Sequence, residues 1–184
     1  MRKCLITIFV SLLCCVIAPA EVADSGQGGF TVKIATTIYA SPQVVYDRLI
    51  HNVGDWWSPD HTFSNDSHNL SIEDKVAGCF CEKIPNGGGV RYGEVIMIMP
   101  VKLLVISGAL GPLQKFGTTG TLTLAILPVH KDTRVELTYV VGGYASGGLE
   151  TWAAPVDKVL TEQMTRLKSY AETGSPASTA ATKP

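Results

Sequence analysis

One long amphipathic segment near the C-terminus is the feature that most constrains this fold. Mostly apolar side chains recur there at steps of three and four residues, the spacing of one helix face: Trp152, Val156, Val159, Leu160, Gln163, Met164, Leu167 and Tyr170. The spacing predicts a helix from about Ala153 to Glu172. Pro155 falls in its first turn, where proline is tolerated, and Gly174 follows its end.

The chain before this helix consists mostly of short runs in which apolar and polar residues alternate. The alternation predicts strands at Phe30–Tyr39, Val76–Ile84, Val90–Met99, Leu103–Gly108, Gly117–Leu127 and Thr133–Val141. Ser41-Pro42 is a helix-start signal and predicts a short helix to about His51. Since only the C-terminal helix is long enough to cover the apolar face of these strands, we expect an α+β fold. In this fold a curved antiparallel sheet of about six to seven strands wraps on that helix.

Residues 1–20 have the pattern of a signal peptide. Arg2 and Lys3 precede an apolar stretch, and Ala18-Pro19-Ala20 matches a cleavage site. The apolar stretch is shorter than the roughly 18 residues that span a bilayer. We therefore expect cleavage after Ala20 or Ala23 and a periplasmic or secreted protein without a stable membrane span. An uncleaved membrane anchor is the alternative.

The remaining chain predicts one domain at residues 30–173, between two irregular ends. We expect residues 21–29 to be flexible. Residues 174–184 are mostly Ser, Thr, Ala and Pro, and this composition predicts a disordered tail. Lys and Arg total 15 against 16 Asp and Glu, so the sequence has no basic excess and nucleic acid is not an expected partner.

Cys79 and Cys81 lie two residues apart in a predicted strand and therefore point to the same face. Two buried thiols are the favoured interpretation, because a bridge would lie near the outer limit of the Cα separation in disulfides. A metal pair is a weaker alternative, since no Cys-x-x-Cys accompanies them. His51, His61 and His68 form no recognisable triad or ligand set, and we expect neither a metal nor a cofactor.

The order of elements and several motifs resemble the helix-grip fold of the START/SRPBCC superfamily. The motifs that carry the resemblance to its polyketide-cyclase and heat-shock-ATPase-activator-like branch are Ala40-Ser41-Pro42, Asp55-Trp56-Trp57, Gly78-Cys79-Phe80-Cys81-Glu82 and Gly93-Glu94-Val95. The segments Gly108–Leu113 and Tyr139–Tyr144 resemble an exported bacterial subgroup. The superfamily includes lipid carriers, cyclases, co-chaperones and hormone receptors, so the resemblance implies a fold more than an activity.

A helix-grip fold implies an apolar cavity where the long helix cannot reach the full width of the curved sheet. The residues that we expect near it are Trp56, Trp57, Phe63, Glu82, Tyr92, Glu94, Tyr139, Trp152, Gln163 and Met164. One member of the Trp56-Trp57 pair is expected to pack and the other to line or cover an opening. Alternatively, both plug one end of the fold.

Glu82 and Glu94 are the candidate carboxylates. Each shares strand parity with apolar neighbours, so both could face the cavity as acid and base or orient a ligand hydroxyl. The favoured interpretation places them on the solvated face or in an ion pair with Arg91.

The leading hypothesis is an exported binding protein for a small hydrophobic or aromatic molecule. A cyclase- or hydrolase-type enzyme that uses cavity Glu and Tyr groups is the alternative, and a co-chaperone-like interaction protein is the third. The sequence does not indicate an oligomeric state.

Overall fold

The computed structural model describes residues 21–177, which form an eight-stranded antiparallel sheet and three helices. The strands are β1 (Glu21–Gly26), β2 (Gly29–Ile38), β3 (Leu70–Ile72), β4 (Cys79–Ile84), β5 (Gly88–Met99), β6 (Leu103–Ser107), β7 (Gly117–Val129) and β8 (Asp132–Tyr144). The helices are α1 (Pro42–His51), α2 (Val53–Trp56) and α3 (Glu150–Thr173). The sheet order is β1-β2-β8-β7-β6-β5-β4-β3. The predicted α+β architecture, an antiparallel sheet combined with a long C-terminal helix, is confirmed.

Strict alternation on the long central strands places the core on one face of the sheet. Leu124 on β7 lies opposite Leu137 on β8, and both are buried. The residues that alternate with the buried ones along β8, such as Arg134 and Glu136, are exposed or half-buried on the other face. Helix α3 packs on β1 and β2 and contacts both short helices, so its buried face closes the core.

Local signals account for the ends of the helices. The Ser41 hydroxyl accepts a hydrogen bond from the Val44 amide at 3.4 Å and caps the start of α1. Gly174 ends α3 with a φ of 80°, a left-handed conformation that glycine adopts without a steric penalty. These signals match the sequence-based prediction of both helices, with α3 three residues longer at its start.

Both ends of the domain are more ordered than predicted. Residues 21–26 form β1, which pairs with β2, so the prediction of a flexible segment at residues 21–29 is wrong. Strand β1 is joined by backbone hydrogen bonds and carries polar residues such as Asp24 and Ser25, so it lacks an apolar alternation. At the other end, Arg166 donates to the Ala177 carbonyl at 2.8 Å, which holds the first residues of the predicted tail against α3.

The proposed signal peptide, residues 1–20, and the last part of the predicted tail, residues 178–184, lie outside the described residues. Within residues 21–177, no helix combines the length and the apolar character needed to cross a membrane.

Cys79 and Cys81 form a disulfide, so the prediction of two buried thiols is wrong. Their Cα atoms are 5.4 Å apart, which lies inside the range of about 4.4–6.8 Å found for disulfides. Full extension of a strand would separate them by roughly 6.6 Å, near the upper limit of that range, so local contraction of β4 brings them close to the separation most common in disulfides. Both cysteines are half-buried on the outer face, while Phe80 and Glu82 point inward.

Candidate ligand-binding site

A pocket of about 310 Å³ lies between the N-terminal half of α3 and three segments that face it. Its volume is at the lower end of the roughly 300–1,000 Å³ typical of small-molecule sites. The lining residues come from the loop after α2 (Trp57, Asp60, His61, Thr62, Phe63), from β5 (Tyr92), from the turn at Leu110–Leu113, and from α3 (Trp152, Pro155, Val156, Val159, Leu160). Apolar atoms dominate this lining.

Aromatic rings build one wall of the pocket. The ring of Trp57 lies 5.7 Å from that of Phe80, edge to face, and Phe80 lies 5.1 Å from Tyr92. Tyr92 in turn lies 6.1 Å from Phe63, which is 49% exposed. Such ring contacts stabilise each other beyond simple burial, so this wall is both apolar and well packed. Trp152 approaches from α3.

Glu82 holds this wall and the adjacent loop together. Its side chain points inward from β4 and is 1% exposed. One carboxylate oxygen accepts from the Tyr92 hydroxyl at 2.5 Å and from the Phe63 amide at 3.0 Å. The other accepts from the Ser64 amide at 2.5 Å. A buried carboxylate with three donors is compensated, and here it fixes both Phe63 and Tyr92 beside the pocket.

The same contacts determine the ionisation of the two partners. Burial raises the pKa of Glu82, but the hydrogen bonds from Ser64, Tyr92 and Phe63 together outweigh burial. The pKa of Glu82 therefore lies below its ordinary value, and the group is ionised at neutral pH. Burial and the adjacent Glu82 carboxylate raise the pKa of Tyr92, which keeps its phenol neutral.

A β-bulge separates Glu82 from Glu94. On β5, Arg91 lies opposite Cys81 and Gly93 lies opposite Phe80, so Tyr92 is an extra residue on its strand. The extra residue shifts the alternation by one position. Tyr92 therefore points inward, while Glu94 points outward and pairs with Arg91. Glu94 thus lies on the outer face in an ion pair with Arg91, as the favoured interpretation expected. Glu82 does not, because it is buried on the inner face. The two carboxylates therefore cannot act together in one cavity.

Four of the ten candidate residues meet at the pocket: Trp57, Phe63, Tyr92 and Trp152. The other six lie elsewhere. Glu82 is behind the wall, Glu94 lines a separate open groove, and Trp56, Tyr139, Gln163 and Met164 are buried in the core. Of the tryptophan pair, Trp56 packs, with its indole N–H donating to the Arg48 carbonyl at 2.9 Å, and Trp57 reaches the pocket.

Tyr139 and Gln163 use their polar groups to hold neighbouring segments. The Tyr139 hydroxyl donates to the Gly108 carbonyl at 3.1 Å and accepts from the Leu110 amide at 3.0 Å. Burial raises the pKa of Tyr139 to about 12, although the Leu110 hydrogen bond lowers it slightly. The Gln163 side-chain oxygen accepts from the Ser58 amide at 2.8 Å. Both side chains therefore hold segments that border the pocket, but they do not line the pocket themselves.

Sequence reasoning missed the turn at Leu110–Leu113 and the loop residues Asp60, His61 and Thr62. The apolar periodicity of α3 already contained Val156 and Val159, but it does not distinguish a core face from a pocket face. The loop is tied to α3 through His61, whose Nε2 lies 3.1 Å from a carboxylate oxygen of Glu162. This contact and the Glu82 network hold the loop on two sides.

Comparison with known proteins places the chain by its fold. No protein-family model matches the sequence, and no curated protein matches it. The protein of unknown function EF2215 from Enterococcus faecalis is similar in structure, with a TM-score of 0.59 and 16% identity over 86% of this chain and 80% of that one. The Aha1 dimer from Colwellia psychrerythraea gives a TM-score of 0.57 and 18% identity, covering 78% of this chain and 97% of that one.

CalU16 from Micromonospora echinospora gives a TM-score of 0.54 and 15% identity, covering 87% of this chain and 88% of that one. The chain has the helix-grip fold. The neighbours are consistent with the SRPBCC-type resemblance seen in the sequence. At these identities the likeness concerns the fold alone, and membership of an exported subgroup stays a prediction.

The Glu82 network makes a prediction about stability and pH. Replacement Glu82→Gln leaves one of the buried donors facing an amide NH₂, and we expect it to lower the free energy of unfolding by about 1–3 kcal/mol at pH 7. Because the folded-state pKa of Glu82 is depressed, its stabilisation is present above the unfolded-state pKa and is lost as pH falls through the folded-state value. The difference between wild type and variant should therefore shrink below about pH 4. Urea unfolding at several pH values measures it.

Glu136→Gln is the matched control, since Glu136 is a half-buried carboxylate paired with Arg134 on the outer face. It should change stability by less than about 0.5 kcal/mol. A Glu82→Gln variant as stable as this control would contradict the anchoring role.

Proposed function

We propose that this protein binds a small apolar or aromatic molecule in the pocket between α3 and the Trp57–Phe63 loop. The observation that carries the proposal is the lining itself: aromatic and aliphatic side chains surround a volume of about 310 Å³. The polar groups at the pocket are few and come mainly from Asp60, His61 and Thr62. A ligand with an apolar body and one polar end would match this distribution.

The Glu and Tyr groups expected as acid and base are all engaged in other contacts or lie outside the pocket. A general base near neutral pH needs a free lone pair and a pKa close to the working pH. Glu82 has a lowered pKa and accepts three hydrogen bonds, while Tyr92 donates its only O–H to Glu82. Tyr139 is occupied by backbone groups, and Glu94 lies on the opposite face of the sheet. These groups position the walls of the pocket.

Filling the pocket tests the proposal. Val156 lines the pocket from α3, so Val156→Trp introduces a large ring into the ligand space. We expect the affinity for the fluorescent apolar probe 1-anilinonaphthalene-8-sulfonate to fall by at least about tenfold, which corresponds to about 1.4 kcal/mol. Fluorescence titration of the folded protein measures the affinity.

The matched control is Val140→Trp, because Val140 lies on the outer face of β8 and is 48% exposed. The control should bind the probe as wild type does. Equal affinities for wild type, Val156→Trp and Val140→Trp would place probe binding outside the pocket and contradict the proposal.

We propose further that the protein is exported and binds its ligand outside the cytoplasm. The support is the signal-peptide pattern of residues 1–20. Cleavage after Ala20 would leave β1 whole, whereas cleavage after Ala23 would remove the residues that pair with Lys33 and Val32 of β2. We therefore expect the mature chain to begin at Glu21. Cell fractionation with intact-mass measurement checks this, and an unprocessed cytoplasmic protein would contradict it.

A further inference from the structure

The Cys79–Cys81 disulfide lies on the outer face of β4, away from the pocket. The strand alternates in burial, with both cysteines half-buried outside and Phe80 and Glu82 buried inside. The bridge encloses a single residue. Because the entropic stabilisation by a disulfide grows with the length of the loop that it closes, this bridge contributes little to folding. Reduction is therefore expected to leave the fold intact.

Cations surround Cys81. Its direct partner on β5 is Arg91, and directly opposed residues have Cβ atoms about 4.5–5.5 Å apart. Lys83 follows two residues later on the same face of β4 and is exposed. The opposite partner on β3 is Ser71, which is uncharged. A neighbouring positive charge favours a thiolate over a thiol, so this environment stabilises a negative sulfur at Cys81.

Anions surround Cys79. Its direct partner on β5 is Glu94. A carboxylate oxygen of Glu73 accepts a hydrogen bond from the Cys79 amide at 2.9 Å. Both acidic groups have basic partners, since Arg91 pairs with Glu94 and Lys75 lies 3.3 Å from Glu73. These pairs weaken the field at each sulfur, but the pairing register still places an acid opposite Cys79 and a base opposite Cys81.

We propose that the Cys79–Cys81 disulfide is a thiol–disulfide exchange site in which Cys81 is the departing thiolate. The reaction partner is an external dithiol. One of its thiolates attacks the Cys79 sulfur, the Cys79–Cys81 bond breaks, and the electron pair leaves on Cys81. A mixed disulfide then joins the partner to Cys79.

The second thiol of the partner, as a thiolate, then attacks the partner's first sulfur in this mixed disulfide. The bond to Cys79 breaks, and the released Cys79 thiolate takes up a proton. Two electrons pass from the partner dithiol to the Cys79–Cys81 pair, and the partner leaves as a disulfide. The direction of attack follows from the charges, because the sulfur that better carries negative charge is the better leaving group.

The asymmetry can be measured on the reduced protein. The protein is first reduced with dithiothreitol, then freed of reductant and alkylated with iodoacetamide between pH 5 and 9. Peptide mass mapping gives the rate at each cysteine, and circular dichroism checks that the reduced protein stays folded. We expect Cys81 to be alkylated roughly threefold faster than Cys79 near neutral pH, because its larger thiolate fraction outweighs its lower intrinsic nucleophilicity.

Two variants separate the contributions of the facing charges. Arg91→Gln should slow alkylation of Cys81, and Glu94→Gln should accelerate alkylation of Cys79. Lys102→Gln is the control, since Lys102 is an exposed cation in the turn between β5 and β6, and it should change neither rate. If one variant does not fold, the other variant and the wild-type pH profile still test whether Cys81 is the more reactive thiol.

The exchange step itself is tested on the oxidised protein with limiting glutathione followed by acid quenching. The expected product carries glutathione mainly on Cys79. Equal labelling of both cysteines, glutathione mainly on Cys81, faster alkylation of Cys79, or free thiols in the untreated protein would each overturn the proposal.

Discussion

A single long helix has to cover one face of an eight-stranded curved sheet, and the remaining features of this molecule depend on that constraint. Helix α3 packs closely on β1 and β2, and its Leu167 side chain is fully buried. Toward its N-terminal end, Val156 and Val159 are only half-buried and face other segments across a pocket. The gap between helix and sheet is closed by the Trp57–Phe63 loop and by the turn at Leu110–Leu113. The pocket is thus a consequence of incomplete coverage by one helix.

An extra residue in β5 determines which side chains reach that gap. The bulge at Tyr92 sends its ring to the inner face, where the hydroxyl meets Glu82 and the ring joins the aromatic wall. The same shift sends Arg91 and Glu94 outward, beside the disulfide of β4. One irregularity therefore separates the apolar wall of the pocket from a charged outer surface. The two regions have different chemistry although Phe80, between the cysteines, contacts the rings of both Trp57 and Tyr92.

Most of the architecture could be predicted from residue periodicity, because buried faces impose it directly. The helix predicted at 153–172 is α3 at 150–173, and the alternation on β7 and β8 matches the core. Strand β1 could not be predicted, since its sequence has no apolar alternation and its pairing with β2 consists of backbone hydrogen bonds. The bulge could not be predicted from the sequence, because regular alternation through β5 would place Tyr92, Glu94 and Ile96 on the same face. Contraction of β4, which brings the two cysteines close to the separation most common in disulfides, is a property of the folded backbone and leaves no signal in the sequence.

The central claim is that the pocket holds a small apolar molecule. Native mass spectrometry of the mature protein purified from its own host tests it most directly, by comparison of the native and denatured masses. The account predicts an additional mass of a small apolar compound that is lost on denaturation. Identical native and denatured masses, together with no binding from a broad library of hydrophobic compounds, would contradict it.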